Sequence, residues 1–243
     1  MPQQRDCTRE TFLERAGLGL AAAAFAGDAL APAAAVAAGP AKGPPVAANS
    51  PSEALKLLRA GNERFVADKP LTEPLTPLVA ELASGQNPFA IILGCSDSRV
   101  PIETVFDQPP GNVFTVRVAG NFLNADNYGS IEYAVAVLKA KLILVLGHSK
   151  CGAVAAAVAF AKQGTTQPGH IQHLVTAITP AAEETRGKAG DWVANAVKAN
   201  VHLNVIAMTA GSKIIADAVS AGTVEVQGGV YDLRTGKVTF LPS

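Results

Sequence analysis

Three cysteines are too few to build a disulfide framework, and one of them, Cys7, stands in an N-terminal segment unlike the rest of the chain. Cys95 and Cys151 remain for the body, enough for one bridge or for chemistry. A surplus of charge of either sign is also missing. Twenty lysines and arginines face twenty aspartates and glutamates, so nothing in the balance draws the chain to nucleic acid or to an anionic membrane. Nor is there an apolar run long enough to cross a bilayer, since the uncharged stretch Ala16–Ala26 falls short of the ~20 residues a span needs. What is present is length and hydrophobicity: 243 residues, 49% of them hydrophobic, can bury the core of one moderate domain.

The N-terminal segment has the order of an export signal. A charged head is followed by Ala16–Ala26 and then by small-residue sites at Ala31–Ala33 and Ala35–Ala37. "TRETFL" resembles a twin-arginine signal in which Glu10 replaces the second arginine. The head balances Asp6, Glu10 and Glu14 against three arginines. Residues 1–38 are expected to be an export signal and 39–51 a linker, with the folded domain over 52–243. A periplasmic or secreted location follows. The alternative is an alanine-rich disordered extension on a cytoplasmic protein.

In the body, helix and strand signals alternate. Ser50–Asp68 opens with an N-cap serine, Pro51 and Glu53 in the first turn, which predicts a helix. The proline-rich stretch after it breaks helix and restarts it. "FAIILG", "NVFTVRVAG" (112–120) and "KLILVLGH" (141–148) read as strands, and "GSIEYAVAVLKA" (129–140) and "CGAVAAAVAFAKQ" (151–163) as helices. A long helical stretch runs to about Ala221. "TVEVQGGVYDLRTGKVTFL" (223–241) ends the chain as a strand, or as a hairpin turned at "RTG". Near-continuous apolar strands separated by helices predict an α/β fold with a mostly parallel central sheet flanked by helices.

Sheets of this kind bind ligands beyond the carboxyl ends of their strands. "GCSDSRV" places Cys95, Asp97 and Arg99 just past one such end, and "GHSKCG" places His148 and Cys151 at another. If the two strands are neighbours, two thiols and an imidazole converge. That donor set suits zinc, and three protein ligands leave room for water. Asp97 is either a fourth ligand or a neighbour of the metal. Arg99 can pair with it bidentately, keeping it ionised and competing with the metal for it. A Cys95–Cys151 disulfide and unrelated buried side chains are the competing readings. A phosphatase with Cys95 as nucleophile is excluded, because no glycine-rich anion cradle follows it.

"CSDSRV" followed some fifty residues on by "GHSKCGAV" closely resembles the β-class carbonic anhydrases, as do "LRAGNERFV", "VFTVRVAGN", "GSIEYAV" and "VQGGVYDLRTGKV". The resemblance implies a β-carbonic-anhydrase-like single domain holding Zn2+ through Cys95, His148 and Cys151. Asp97 would be a displaceable fourth ligand and Arg99 its partner. It implies reversible hydration of carbon dioxide to bicarbonate, with Gln86, Phe114 and Tyr133 lining the carbon dioxide pocket in the manner of the plant-like, open-site branch. The other branch carries a tryptophan near the position of Gln86, whereas the one tryptophan here is Trp192. It implies a homodimer or homotetramer in which some pocket residues come from the adjoining subunit. No nucleic acid and no membrane partner is expected of the mature form. Two alternatives keep the fold: a zinc hydrolase acting on another small heterocumulene such as carbon disulfide, and a non-catalytic zinc or bicarbonate binder.

Overall fold

The structure, a computed structural model, describes residues 48–71 and 75–242. The expected export segment, and the linker as far as residue 47, lie outside the described residues. Among the described residues, no helix is long and apolar enough to cross a membrane.

Helix α1 (Pro51–Val66) begins as its sequence dictates. The Ser50 side chain accepts the Glu53 N–H, Pro51 occupies the first turn, and Ala54 and Leu58 are buried. After a short helix α2 (Leu75–Leu82), strand β1 (Ala90–Gly94) enters the core with every residue buried. There follow α3 (Ile102–Val105), β2 (Val113–Arg117), α4 (Ala125–Ala136), β3 (Leu142–His148) and α5 (Gly152–Gln163). Helices α6 (Ile171–Glu184), α7 (Trp192–Ala210) and α8 (Lys213–Ser220) precede the closing strands β4 (Glu225–Tyr231) and β5 (Val238–Phe240).

The sheet order is β2-β1-β3-β4-β5, with β1 parallel to both neighbours, β3 parallel to β4, and β5 antiparallel at the edge. Alternation along β1 and β3 sends side chains to opposite faces. Ala90, Ile92, Leu142, Leu144 and Leu146 pack with Leu58 of α1 and with Ile102 and Phe106. Ile91, Leu93, Ile143 and Val145 pack with Ile131 of α4, Val201 and Met208 of α7 and Ile215 of α8. Both faces are thus covered, which is why these strands read as unbroken apolar runs. Asn62 of α1 ties the layers together. Its amide donates to the carbonyls of Val105 (3.0 Å) and Gly236 (2.9 Å), and its oxygen accepts the Val238 N–H at 2.8 Å.

Two boundaries differ from the sequence reading, and one alternative is settled. The long helical stretch is three helices, broken where Gly187 and Gly190 adopt positive φ (75° and 92°) before the Asp191 N-cap, and again at Gly211 before the Ser212 N-cap. Helix α4 starts at Ala125, because the Asn124 side chain caps it by accepting the Asn127 N–H. The last segment is the hairpin. Asp232 turns it by accepting the N–H groups of Arg234 (2.8 Å) and Thr235 (2.9 Å).

Candidate metal centre

The parallel register sets Gly94 of β1 opposite Leu146 of β3, so Cys95 and His148 emerge at the same edge of the sheet on adjacent strands. Beyond His148 the chain turns sharply through Lys150, whose φ is 56°, and Cys151 becomes the N-cap of α5. The tip of β3 is fixed to β4 by Ser149, whose N–H donates to the Tyr231 carbonyl (2.8 Å) and whose hydroxyl accepts the Leu233 N–H (3.0 Å). The outcome is a three-donor cluster. The sulfurs of Cys95 and Cys151 and a ring nitrogen of His148 lie within 4.8 Å of one another, all three residues buried.

The donors are prepared for a cation. His148 Nδ1 stands 2.9 Å from the Ser149 carbonyl, which accepts only if Nδ1 carries the proton. That tautomer leaves the Nε2 lone pair free, and Nε2 is buried with no hydrogen-bond partner. A buried orphan nitrogen facing two thiols is costly unless something electrophilic occupies the gap. The thiols are free, not bridged. The Cys151 S–H holds the Cys95 thiol well below the usual thiol range, aided by His148 and the Gly120 N–H, and the same bond pushes Cys151 up. Burial opposes charge on His148, but the Cys95 sulfur outweighs it and the net direction is up. The set fits zinc, which displaces such protons and takes sulfur and imidazole ligands in a closed or three-plus-water arrangement.

Asp97 stands beside the cluster rather than within it, with Oδ2 at 3.8 Å from His148 Nε2. Both its oxygens are taken by Arg99: Nε donates to Oδ1 (2.9 Å), Nη2 to Oδ2 (2.7 Å), and the Arg99 N–H adds a third bond to Oδ1 (3.0 Å). The Arg99 guanidinium, then its backbone N–H, hold the Asp97 carboxyl well below the usual carboxylate range. The loop bearing Cys95 and Asp97 is braced by Arg117, the last residue of β2, which sits opposite Gly94. Its Nε donates to the Cys95 carbonyl (2.9 Å) and its Nη2 to the Asp97 carbonyl (2.7 Å). Sequence reading passes over Arg117, whose partners lie 22 and 20 residues back along the chain.

Gln86, Phe114 and Tyr133 lie elsewhere in the chain. Gln86 is exposed in the loop leading into β1. Phe114 pairs with Ile91 near the start of that strand, about 13 Å of strand rise before Cys95. Tyr133 on α4 is 46% exposed and tilts against Phe114, with ring centroids 6.3 Å apart. The fold thus joins Cys95, Asp97, Arg99, His148 and Cys151 at one end of the sheet and groups Phe114 with Tyr133 toward the other. Trp192 is remote in role as well, donating its indole N–H to the Ala182 carbonyl.

Comparison with known proteins adds an independent line. The sequence model of a family described as carbonic anhydrase matches residues 90–238. The chain is 40% identical over 193 residues to carbonic anhydrase 2 of Mycobacterium tuberculosis, covering 79% of this chain and 93% of that one. It is 39% identical over 192 residues to a carbonic anhydrase of Mycolicibacterium smegmatis, covering 78% and 93%. Among solved structures it resembles a tetrameric β-carbonic anhydrase of Sordaria macrospora (TM-score 0.62, 29% identity, 69% of this chain and 88% of that one). It also resembles the Coccomyxa β-carbonic anhydrase in complex with acetazolamide (TM-score 0.60, 30% identity, 70% and 87%).

Proposed function

The chain belongs to the β-class carbonic anhydrases, zinc enzymes of reversible carbon dioxide hydration, and on that premise we propose that Cys95, His148 and Cys151 hold the zinc while Asp97 and Arg99 serve the reaction beside it. The observation that carries this assignment is the buried, unpartnered His148 Nε2 facing two free thiols within 4.8 Å. Bound there, zinc supplies a Lewis acid that makes water nucleophilic near neutral pH.

The protein's own groups do the rest. Ser149 fixes the imidazole tautomer through its carbonyl. Arg99 keeps Asp97 ionised and turned away from full coordination, so its carboxylate accepts a hydrogen bond from the attacking water and orients it toward carbon. Arg117 holds both backbone carbonyls of the loop that carries ligand and carboxylate. The bidentate Asp97–Arg99 pair supports the open-site branch of the family, in which the fourth position stays with solvent.

Gln86, Phe114 and Tyr133 serve carbon dioxide at the metal centre of a second copy, since in their own chain Phe114 and Tyr133 stand toward the opposite end of the sheet from Cys95. Support comes from the exposure of Tyr133 and Gln86 within one chain and from the tetrameric state of the Sordaria relative. Phe114 and Tyr133 would offer the dry surface an apolar gas needs, and the Gln86 amide would donate to the oxygen on which charge develops. A homodimer or homotetramer is the working state. The signal-like order of residues 1–38 supports export, which places the enzyme in the periplasm or outside the cell.

Stopped-flow carbon dioxide hydration, with zinc content measured on the same full-length sample, tests this reading. One zinc per chain and turnover that disappear together in C95S are expected. Turnover surviving zinc loss, or zinc without hydration, would overturn it. Carbon disulfide as the preferred substrate in a parallel assay would retain the site and change the reaction.

A further inference from the structure

The loop from Val118 to Leu123, which follows β2 at the catalytic edge, is held by three asparagine side chains together with backbone bonds between Val118 and both Gly94 and Ser96. Asn200 on α7 donates from Nδ2 to the Gly120 carbonyl at 2.8 Å. One turn on, Asn204 accepts the Leu123 N–H at Oδ1 (2.8 Å) and donates from Nδ2 to the Asn200 carbonyl (2.8 Å). Asn127 on α4 donates to the Phe122 carbonyl at 2.9 Å. All three asparagines are buried. The loop's own amide at Gly120 points the other way, its N–H donating to the Cys95 sulfur at 3.3 Å.

The geometry of Gly120 is not incidental. Its φ is 84°, and a Cβ there would collide with Ile178 of α6, so the residue is confined from both sides and only glycine fits. Helix α7 reaches the loop because glycine again allows close approach. A Cβ on Gly147 of β3 would lie 2.7 Å from Val201, the residue next to Asn200. The N–H and the carbonyl of Gly120 belong to different peptide planes, which meet at its Cα and turn against each other through its φ and ψ. With φ confined by the packing around the Cα, a buried donor on the carbonyl holds ψ as well, and the two together limit how far the N–H can swing from the sulfur.

We propose that Asn200, steadied by Asn204, is a positioning residue for zinc binding: it clamps Gly120 so that the Gly120 N–H donates to the Cys95 sulfur and tempers that thiolate as a metal ligand. The inference rests on Cys95 being a ligand, as assigned above. An N–H bond to a coordinated sulfur draws on its lone-pair density, so the sulfur gives less charge to the metal and its lone pair lies lower in energy. Outer contacts of this kind alter metal affinity by ~10–100-fold.

Two metals serve as probes. In the full-length chain loaded with cadmium-113, the Gly120 amide proton should show scalar coupling to the metal across the hydrogen bond. Cadmium bound without that coupling would overturn the proposal even if no variant folds. In cobalt-loaded chains, N200L should move the sulfur-to-cobalt charge-transfer band to lower energy, and N204L should move it less in the same direction. Zinc release to a chelator should change by ~10–100-fold in N200L. N127L strips an equally buried bond from the same loop but not from Gly120; it should lower the melting temperature and leave the band in place. A folded N200L with an unmoved band, or an equal shift in N127L, would contradict the role given to Asn200. Cadmium bound unchanged by C95S would instead remove the ligand assignment, and this inference with it.

Discussion

The two ends of the central sheet are built to different standards. At the carboxyl end every group that matters has a partner inside the chain: Asp97 has Arg99, the Cys95 and Asp97 carbonyls have Arg117, and the Cys95 sulfur has Gly120. Its orphans among the described residues are Asn121 Nδ2, in the loop after β2, and His148 Nε2, the atom that a cation would take. Toward the amino end, Phe114 and Tyr133 lean on each other with Tyr133 largely open, and Gln86 stands exposed. A metal site tolerates little slack, because ligand geometry sets affinity, and the chain supplies that rigidity itself. The pocket wall proposed there for a small apolar gas needs surface rather than geometry, and on that proposal a second copy supplies the rest.

The sharpest way to break this contrast is at the metal. C95S and C151S should each abolish zinc retention and hydration while leaving the helices and sheet, read by circular dichroism. Retained zinc in both would mean that the carboxyl end is not the finished site it is held to be. Next in size is R99A. Zinc should stay bound, because the arginine touches no metal donor, and turnover should fall by ~10–100-fold as Asp97 loses its orientation. Full turnover in R99A would remove the role given to the pair.

At the other end, F114A and Y133A should leave zinc content untouched. They should weaken self-association by ~10-fold or more, measured by sedimentation, and raise KM, because buried aromatic anchors carry much of an interface's energy. An unchanged assembly with unchanged kinetics would mean that these rings serve neither a second copy nor the substrate. The smallest effect is expected far from both ends. S50A removes the cap of α1 and should cost about 1 kcal/mol, seen in thermal melts, with turnover per folded molecule preserved.

What was legible in the sequence follows the same division. Strands β1 and β3 were readable because burial on both faces leaves an unbroken apolar run, and their tips were readable because cysteine, histidine and aspartate are conspicuous at the end of such a run. The Asp97–Arg99 pair was legible because two residues of separation suffice to form it. Arg117 and Asn200 were not. Their partners lie 22 and 80 residues away, and nothing local distinguishes an asparagine that clamps a loop from one that faces water. The break of the long helical stretch into α6, α7 and α8 was available in Gly187, Gly190, Asp191 and Ser212, but a glycine's positive φ is settled by packing rather than by its neighbours in sequence. The location of Phe114 and Tyr133 away from Cys95 depended on strand register, which only the assembled sheet fixes.

Zinc-edge X-ray absorption on the full-length protein tests the central claim most directly. Two sulfur scatterers and at least one imidazole nitrogen in the first coordination sphere are expected, with no zinc left to measure in C95S or C151S. A sphere of nitrogen and oxygen alone, or one with a single sulfur, would contradict it.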